Sequence, residues 1–158
     1  MFDPTTLTGI HTDISLFAIL AGIAVVAGLV RGRDRPATAG VFLALAFLTS
    51  ATGFLFPFNG VLPSHVVGVV AILVLLPALF ARYGAGLSGR WHGIYAATAV
   101  ASLYFLVFVG VAQAFAKVPA LQAVAPTQGA PAFAVTQGVV LIAFIGLGFA
   151  AVRARPAA

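Results

Sequence analysis

The sequence predicts an all-α fold, a polytopic membrane helical bundle with five transmembrane helices. Three observations predict it. Of the 158 residues, 62% are hydrophobic and only 7% are charged, against about 25% charged residues in soluble domains. The apolar residues gather into five runs, each near the roughly 20 helical residues needed to cross a hydrocarbon core about 30 Å thick. The formal charges sit at or beyond the ends of those runs, and the chain contains no glutamate. One integral domain, residues 1–158, in contact with a lipid bilayer follows.

The five runs cover approximately residues 12–30, 37–56, 64–81, 92–116 and 132–152. Asp3 and Asp13 precede the body of the first, and Arg31, Arg33 and Arg35 follow it. A secretory signal has the opposite charge order, so the first helix is expected to be retained with its N-terminus outside. Threading the others places Arg31, Arg33, Arg35, Arg82, Arg90, Arg153 and Arg155 on one side and Lys117 alone on the other. Because basic loops stay cytoplasmic, the C-terminus is expected inside. The hairpin around residues 57–63 then faces outward, with His65 at the mouth of the third helix.

Between apolar helices in lipid, small residues let backbones approach. Ala18 with Gly22, Ala24 with Gly28, Gly93 with Ala97 and Ala101, and Gly146 with Ala150 have that spacing. They predict intramolecular packing in a compact bundle, with homodimerisation as the alternative use. Pro77 leaves the carbonyl of Leu73 without its amide partner and predicts a bend. The loop Tyr83-Gly84-Ala85-Gly86-Leu87-Ser88-Gly89 lacks a Gly-Lys-Ser/Thr sequence and a preceding strand, so it reads as a turn and not as a phosphate cradle. Trp91 then anchors the fourth helix at an interface. Pro119, Pro126 and Pro131 interrupt the longest connection, where Pro119 opens a short helix through Val124.

The candidate site rests on two histidines. His11 precedes an apolar run ending at Arg31, and His65 precedes one ending at Arg82. Both helices run in the same direction, so both imidazoles enter at similar depth. A neutral imidazole ligates haem or another metal when its second nitrogen is held by a hydrogen bond. A b-type haem between His11 and His65 needs their ring nitrogens about 4 Å apart, twice a metal–nitrogen bond of about 2 Å. Asp13 and Ser15 are near enough in sequence to assist a metal. The plainer role is capping a helix end, and His92, beside Arg90 and Trp91, reads as interfacial.

Polar residues inside the runs are few. Ser102, Leu106, Val109 and Gln113 share one helical face, while Tyr104 and Phe108 face elsewhere. Thr52, Gln113 and Gln137 lie toward the same half and, with His65, outline a polar pocket of the kind a quinone requires. Interhelical hydrogen bonding is the competing use. Proton- or sodium-driven transport normally places carboxylates inside the membrane, and none is available here. No Ser/His/Asp constellation supports hydrolysis. The absence of cysteine excludes disulfides, thiolate metal sites and thiol catalysis. The net charge of +5 is spread over span ends and forms no basic face for nucleic acid.

At Thr52-Gly53-Phe54-Leu55-Phe56-Pro57-Phe58, Pro63-Ser64-His65, Lys117-Val118-Pro119-Ala120-Leu121 and Ala125-Pro126-Thr127-Gln128, the chain resembles a group of uncharacterised small multi-pass inner-membrane proteins of proteobacteria. The resemblance spans nearly the whole chain and implies a bacterial inner membrane. It implies no activity, ligand or site residue. Asn59 stands where some of those proteins have histidine, which weakens any metal site built on that position.

The leading expectation is a non-enzymatic accessory or interaction subunit, working with a membrane-protein partner or as a homo-oligomer. The first alternative is a redox module holding a b-type haem or a quinone through His11 and His65. The second is a passive carrier or pore for a neutral solute.

Overall fold

The structure is a computed structural model that describes residues 6–56 and 63–154. The expected hairpin turn, including Asn59, lies outside the described residues. So do Asp3 and Arg155.

Helix α1 spans Leu7–Val30. It starts before its apolar run because Thr6 caps it, the Thr6 hydroxyl accepting the Gly9 amide at 3.1 Å. At its other end the amides of Arg31 and Arg33 both reach the carbonyl of Gly28 at 2.9 Å. Gly32, at φ 65°, makes the left-handed turn that this termination requires. Helix α2, Pro36–Gly53, opens on a proline, whose missing amide costs nothing in a first turn.

Helix α3 spans Pro63–Leu79 and continues through Pro77 without a break. It loosens only afterwards, into a π turn over Phe80–Gly84, where the Ala85 amide bonds the carbonyl of Phe80 at 2.9 Å. Gly86, Leu87 and Gly89 then take positive φ, and α4 runs over Trp91–Lys117. Trp91 meets Phe80 edge-on, with centroids 4.9 Å apart. Helix α5, Pro119–Val124, is the expected short piece and buries none of its residues. Helix α6 spans Pro131–Arg153. No strand occurs among the described residues.

Five of these segments, all but α5, are long and apolar enough to cross a membrane. Helices α1, α2, α3 and α4 form a ring in which each packs on the next and α4 closes on α1. Helix α6 stands outside the ring against α4 and α1, and α5 leans on α4.

The half of the ring nearer the arginines is solid. Val25, Val26 and Leu29, Phe42 and Leu43, Leu75 and Ala78, and Tyr95, Ala99 and Leu103 fill it from the four helices. Gly22 permits this: a Cβ there would lie 2.7 Å from both Leu103 Cδ1 and Phe42 Cε2. The inward positions of the opposite half mix large residues with small ones, among them Ala46 and Gly53, Gly68 and Ala71, and Gly110 and Ala114. The small positions leave a void that their larger neighbours do not fill.

Not every small-residue pair packs inside. Ala18 and Gly22 are buried, but Ala97, Gly146 and Ala150 are exposed. Helix α4 buries Ala96, Ala99 and Leu103 instead of the face with Gly93, Ala97 and Ala101. Helix α6 has partners on one side alone, so Val135, Val139, Ile142 and Phe149 face outward, Ile142 with 71% of its surface exposed. With Phe17 and Leu20 of α1, they form an apolar exterior suited to lipid and costly in water.

Candidate functional site

The void is a cavity of about 600 Å³ enclosed by α1, α2, α3 and α4. Along α4 its lining runs from Ser102 to Lys117, a depth of about 22 Å at 1.5 Å of rise per residue. Its walls are mainly apolar, with Leu16, Ile19, Leu75, Phe105, Leu106 and Val109. Polar groups gather at the end away from the arginines: Thr8, His11, Thr12, His65, Gln113 and Lys117. Two more sit deep, Thr49 and Ser102.

The deep pair is unusual. Thr49 is 8% and Ser102 4% exposed, and neither hydroxyl has a hydrogen-bond partner. A buried polar group without a partner costs about 1–3 kcal/mol, so most such groups in proteins are satisfied. Both residues line the cavity, but their hydroxyl oxygens expose almost no surface to it, so meeting a ligand there requires a turn about χ1. Beyond them lie Phe42, Leu43, Leu75 and Leu103, all buried. The cavity is therefore a blind pocket toward the arginine end.

His11 is held by α2. Its Nδ1 lies 2.8 Å from Thr52 Oγ1. The Thr52 hydroxyl has one proton, and its Oγ1 is 2.7 Å from the carbonyl of Leu48 and 3.2 Å from that of Thr49. Neither carbonyl can donate, so the arrangement that satisfies all three contacts turns the Thr52 proton to the α2 backbone and assigns the donor role to His11 Nδ1. Nε2 then carries the lone pair of a neutral imidazole. The ring meets Phe56 edge-on at 5.3 Å, and Cε1 sits 3.7 Å from where a Cβ on Gly53 would be. A Cβ at position 53 would therefore meet the imidazole only in ordinary contact.

His65 enters the cavity from α3, its ring beside Phe54 with centroids 6.1 Å apart. Helix α2 stands between α1 and α3 in the ring, so the two histidines face a shared space from different walls. Phe54 rests on α3 at Gly68, where a Cβ would be 3.2 Å from its Cζ.

The other candidates fall in different places. Gln113 lines the cavity, as do Ser102, Leu106 and Val109 on the same face. Tyr104 and Phe108 turn away, Tyr104 meeting Phe144 of α6 at 5.7 Å. Thr52 supports His11 from behind. Gln137 is outside the cavity, its Nε2 donating to the carbonyl of Phe108 at 3.0 Å and joining α6 to α4.

Asp13 borders a separate surface groove with Ile10, Phe17, Leu20 and Val41. Ser15 lines the cavity, and its hydroxyl is given to the carbonyl of His11 at 2.6 Å. His92 begins α4 at the arginine end. Among the described residues, no three His, Cys, Asp or Glu side chains gather as a metal cluster.

Neither a protein-family model, nor a curated protein, nor a solved structure matches this chain. The site's meaning therefore rests on its chemistry. Sequence reasoning singled out His11, His65, Thr52, Gln113 and Gln137, and placed Ser102 on the face of Gln113. It treated Lys117 only as a topology marker. The signal for the cavity was present as the small residues Gly53, Gly68, Ala71 and Gly110, whose shared inward direction only the packing reveals.

Proposed function

We propose that this protein is a non-catalytic membrane component that holds an amphipathic small molecule of the quinone class in the cavity between α1 and α4. The observation that carries the reading is the blind apolar pocket with two unpartnered hydroxyls, Thr49 and Ser102, at its floor. Its polar mouth contains two imidazoles and a lysine. Apolar walls with a few placed polar groups are the usual make-up of a small-molecule site. A ring with oxygens at both ends and an apolar substituent complements both the floor and the walls.

The mouth is taken to face outward and the arginine end the cytoplasm of a bacterial inner membrane, on the charge asymmetry of the chain. The exposed face of α6 is then available to lipid or to a partner helix, as an accessory subunit requires. A pore for neutral solutes is less favoured, since the core around Phe42 and Leu103 closes the pocket.

The test is a thermal-shift titration of the protein in lipid nanodiscs with a decyl-substituted benzoquinone. A ligand that binds only the folded state raises its stability with concentration. A saturable shift is expected in the native chain and in Ile142→Ala, on the outer face, and none in Ala71→Phe, which puts a ring into the cavity where the ligand would lie. No shift in the native chain, or an equal one in Ala71→Phe, would sink the proposal.

A b-type haem is the competing occupant, because an imidazole that donates through Nδ1 is in the state that ligates metal through Nε2. A Soret band in the purified protein decides for haem.

A further inference from the structure

We infer that the cavity binds the hydroxyl form of its ligand, a hydroquinone or similar phenol, in preference to the carbonyl form, and that Thr52 sets this preference through His11. The inference rests on the proposed quinone-class ligand and adds which oxidation state the pocket is built to receive.

The argument starts from the direction of one hydrogen-bond chain. Thr52 Oγ1 lies 2.7 Å from the carbonyl of Leu48, one turn back in α2, and a threonine hydroxyl bonded there has no second proton to give. At 2.8 Å it can serve His11 only as an acceptor. His11 therefore keeps its proton on Nδ1, and the free tautomeric choice of an imidazole is removed. Nε2 is left as a pure acceptor, and no hydrogen bond to it occurs among the described residues.

Such an acceptor distinguishes two ligands of nearly the same shape. A phenolic hydroxyl donates to Nε2. A quinone carbonyl places a second lone pair against it, leaving both groups buried and unpaired. Sites that depend on one hydrogen bond reject the analogue that cannot make it. Thr49 and Ser102 hydroxyls can give or accept, so they satisfy either form, whereas the Lys117 ammonium in the same lining only donates and favours a carbonyl. The preference inferred is that of His11 outweighing it.

Thr52 is thus a positioning residue, acting through His11. The geometry around the ring supports a fixed role. Cε1 lies beside Gly53, and Phe56 stands edge-on to the imidazole, so the ring is packed as well as bonded.

The experiment compares decyl-benzoquinone with its two-electron-reduced hydroquinone under anaerobic conditions. It is run at pH 8, where an ordinary imidazole is neutral. Binding is read by thermal shift in nanodiscs, and the His11 tautomer by nitrogen-15 chemical shifts of the labelled imidazole. The native chain is expected to bind the hydroquinone about ten- to hundredfold more tightly, the ratio that one unpaired buried acceptor implies. It should show the Nδ1–H tautomer before any ligand is added.

Thr52→Val should bring the two affinities to within about threefold and mix the tautomers, since neither then has a designated partner. Thr52→Ser should restore both readouts. Equal affinities in the native chain, an Nε2–H tautomer, or a preference that survives Thr52→Val would each overturn the inference while leaving the ligand class intact. Binding of neither molecule would overturn the ligand class itself, and the preference with it.

Discussion

Arg82 holds Asp34 with two prongs, Nη1 to Oδ1 at 3.0 Å and Nη2 to Oδ2 at 3.3 Å, across 48 positions of sequence. The contact ties the turn after α1 to the π turn that ends α3. The guanidinium also lies 5.2 Å from the centre of the Tyr95 ring, and the Arg82 side chain is only 7% exposed, against 41% for Asp34. An arginine so enclosed depends on its partner. Asp34→Asn should therefore lower stability by about 1–2 kcal/mol, less than the loss of a fully buried pair because the carboxylate is partly solvated. Thermal unfolding in mild detergent would show it, and high salt should narrow the difference between native and variant.

Two glycines should respond oppositely to the same methyl group. Gly22→Ala would push a Cβ to 2.7 Å from Leu103 and Phe42, both almost wholly buried, and overpacking of this kind costs about 1–3 kcal/mol. Gly146→Ala meets nothing within 4 Å and gains helix propensity, so it should be neutral or stabilising by up to about 1 kcal/mol. Paired melting curves decide it, and an equal loss in both would contradict the packing described.

Ser102→Ala should separate stability from binding. It removes a hydroxyl that the ligand-free protein leaves unpartnered, so the empty protein should melt higher by about 2–4 °C, the shift expected for roughly 1 kcal/mol. Affinity for the quinone-class probe should fall several-fold. A rise in both, measured on the same preparation, would argue that the hydroxyl never meets a ligand.

Gln137→Leu should leave the cavity untouched. The change removes the bond to the Phe108 carbonyl, worth about 0.6 kcal/mol between membrane helices, and also removes an unpartnered Oε1. The two effects nearly cancel, so melting within about 1 °C of native and unchanged probe affinity are expected. A marked loss of probe binding would mean that α6 shapes the cavity through α4.

Much of the helical architecture was readable along the chain because each helix is specified locally. Pro36, Pro119 and Pro131 mark helix starts, and long uncharged apolar runs admit few other structures in a bilayer. The start of α1 was less legible, since Thr6 caps a polar first turn that hydropathy alone excludes from the run. Pro77 falls inside α3, three residues before the π turn at Phe80–Gly84. The Gly146 and Ala150 spacing suggested internal packing, yet α6 has neighbours on one side only.

The sequence by itself determined that five segments are long and apolar enough to span a membrane, because chain length and side-chain transfer energies act residue by residue. It also put Ser102, Leu106, Val109 and Gln113 on one face of α4, since that follows from helical period. Which faces meet was decided only by tertiary structure. Placing α2 between α1 and α3 brings Thr52 to His11 and leaves His65 on another wall, and nothing in local sequence encodes that order. The cavity arises the same way: small residues on several helices become a void only when packing turns them toward one another.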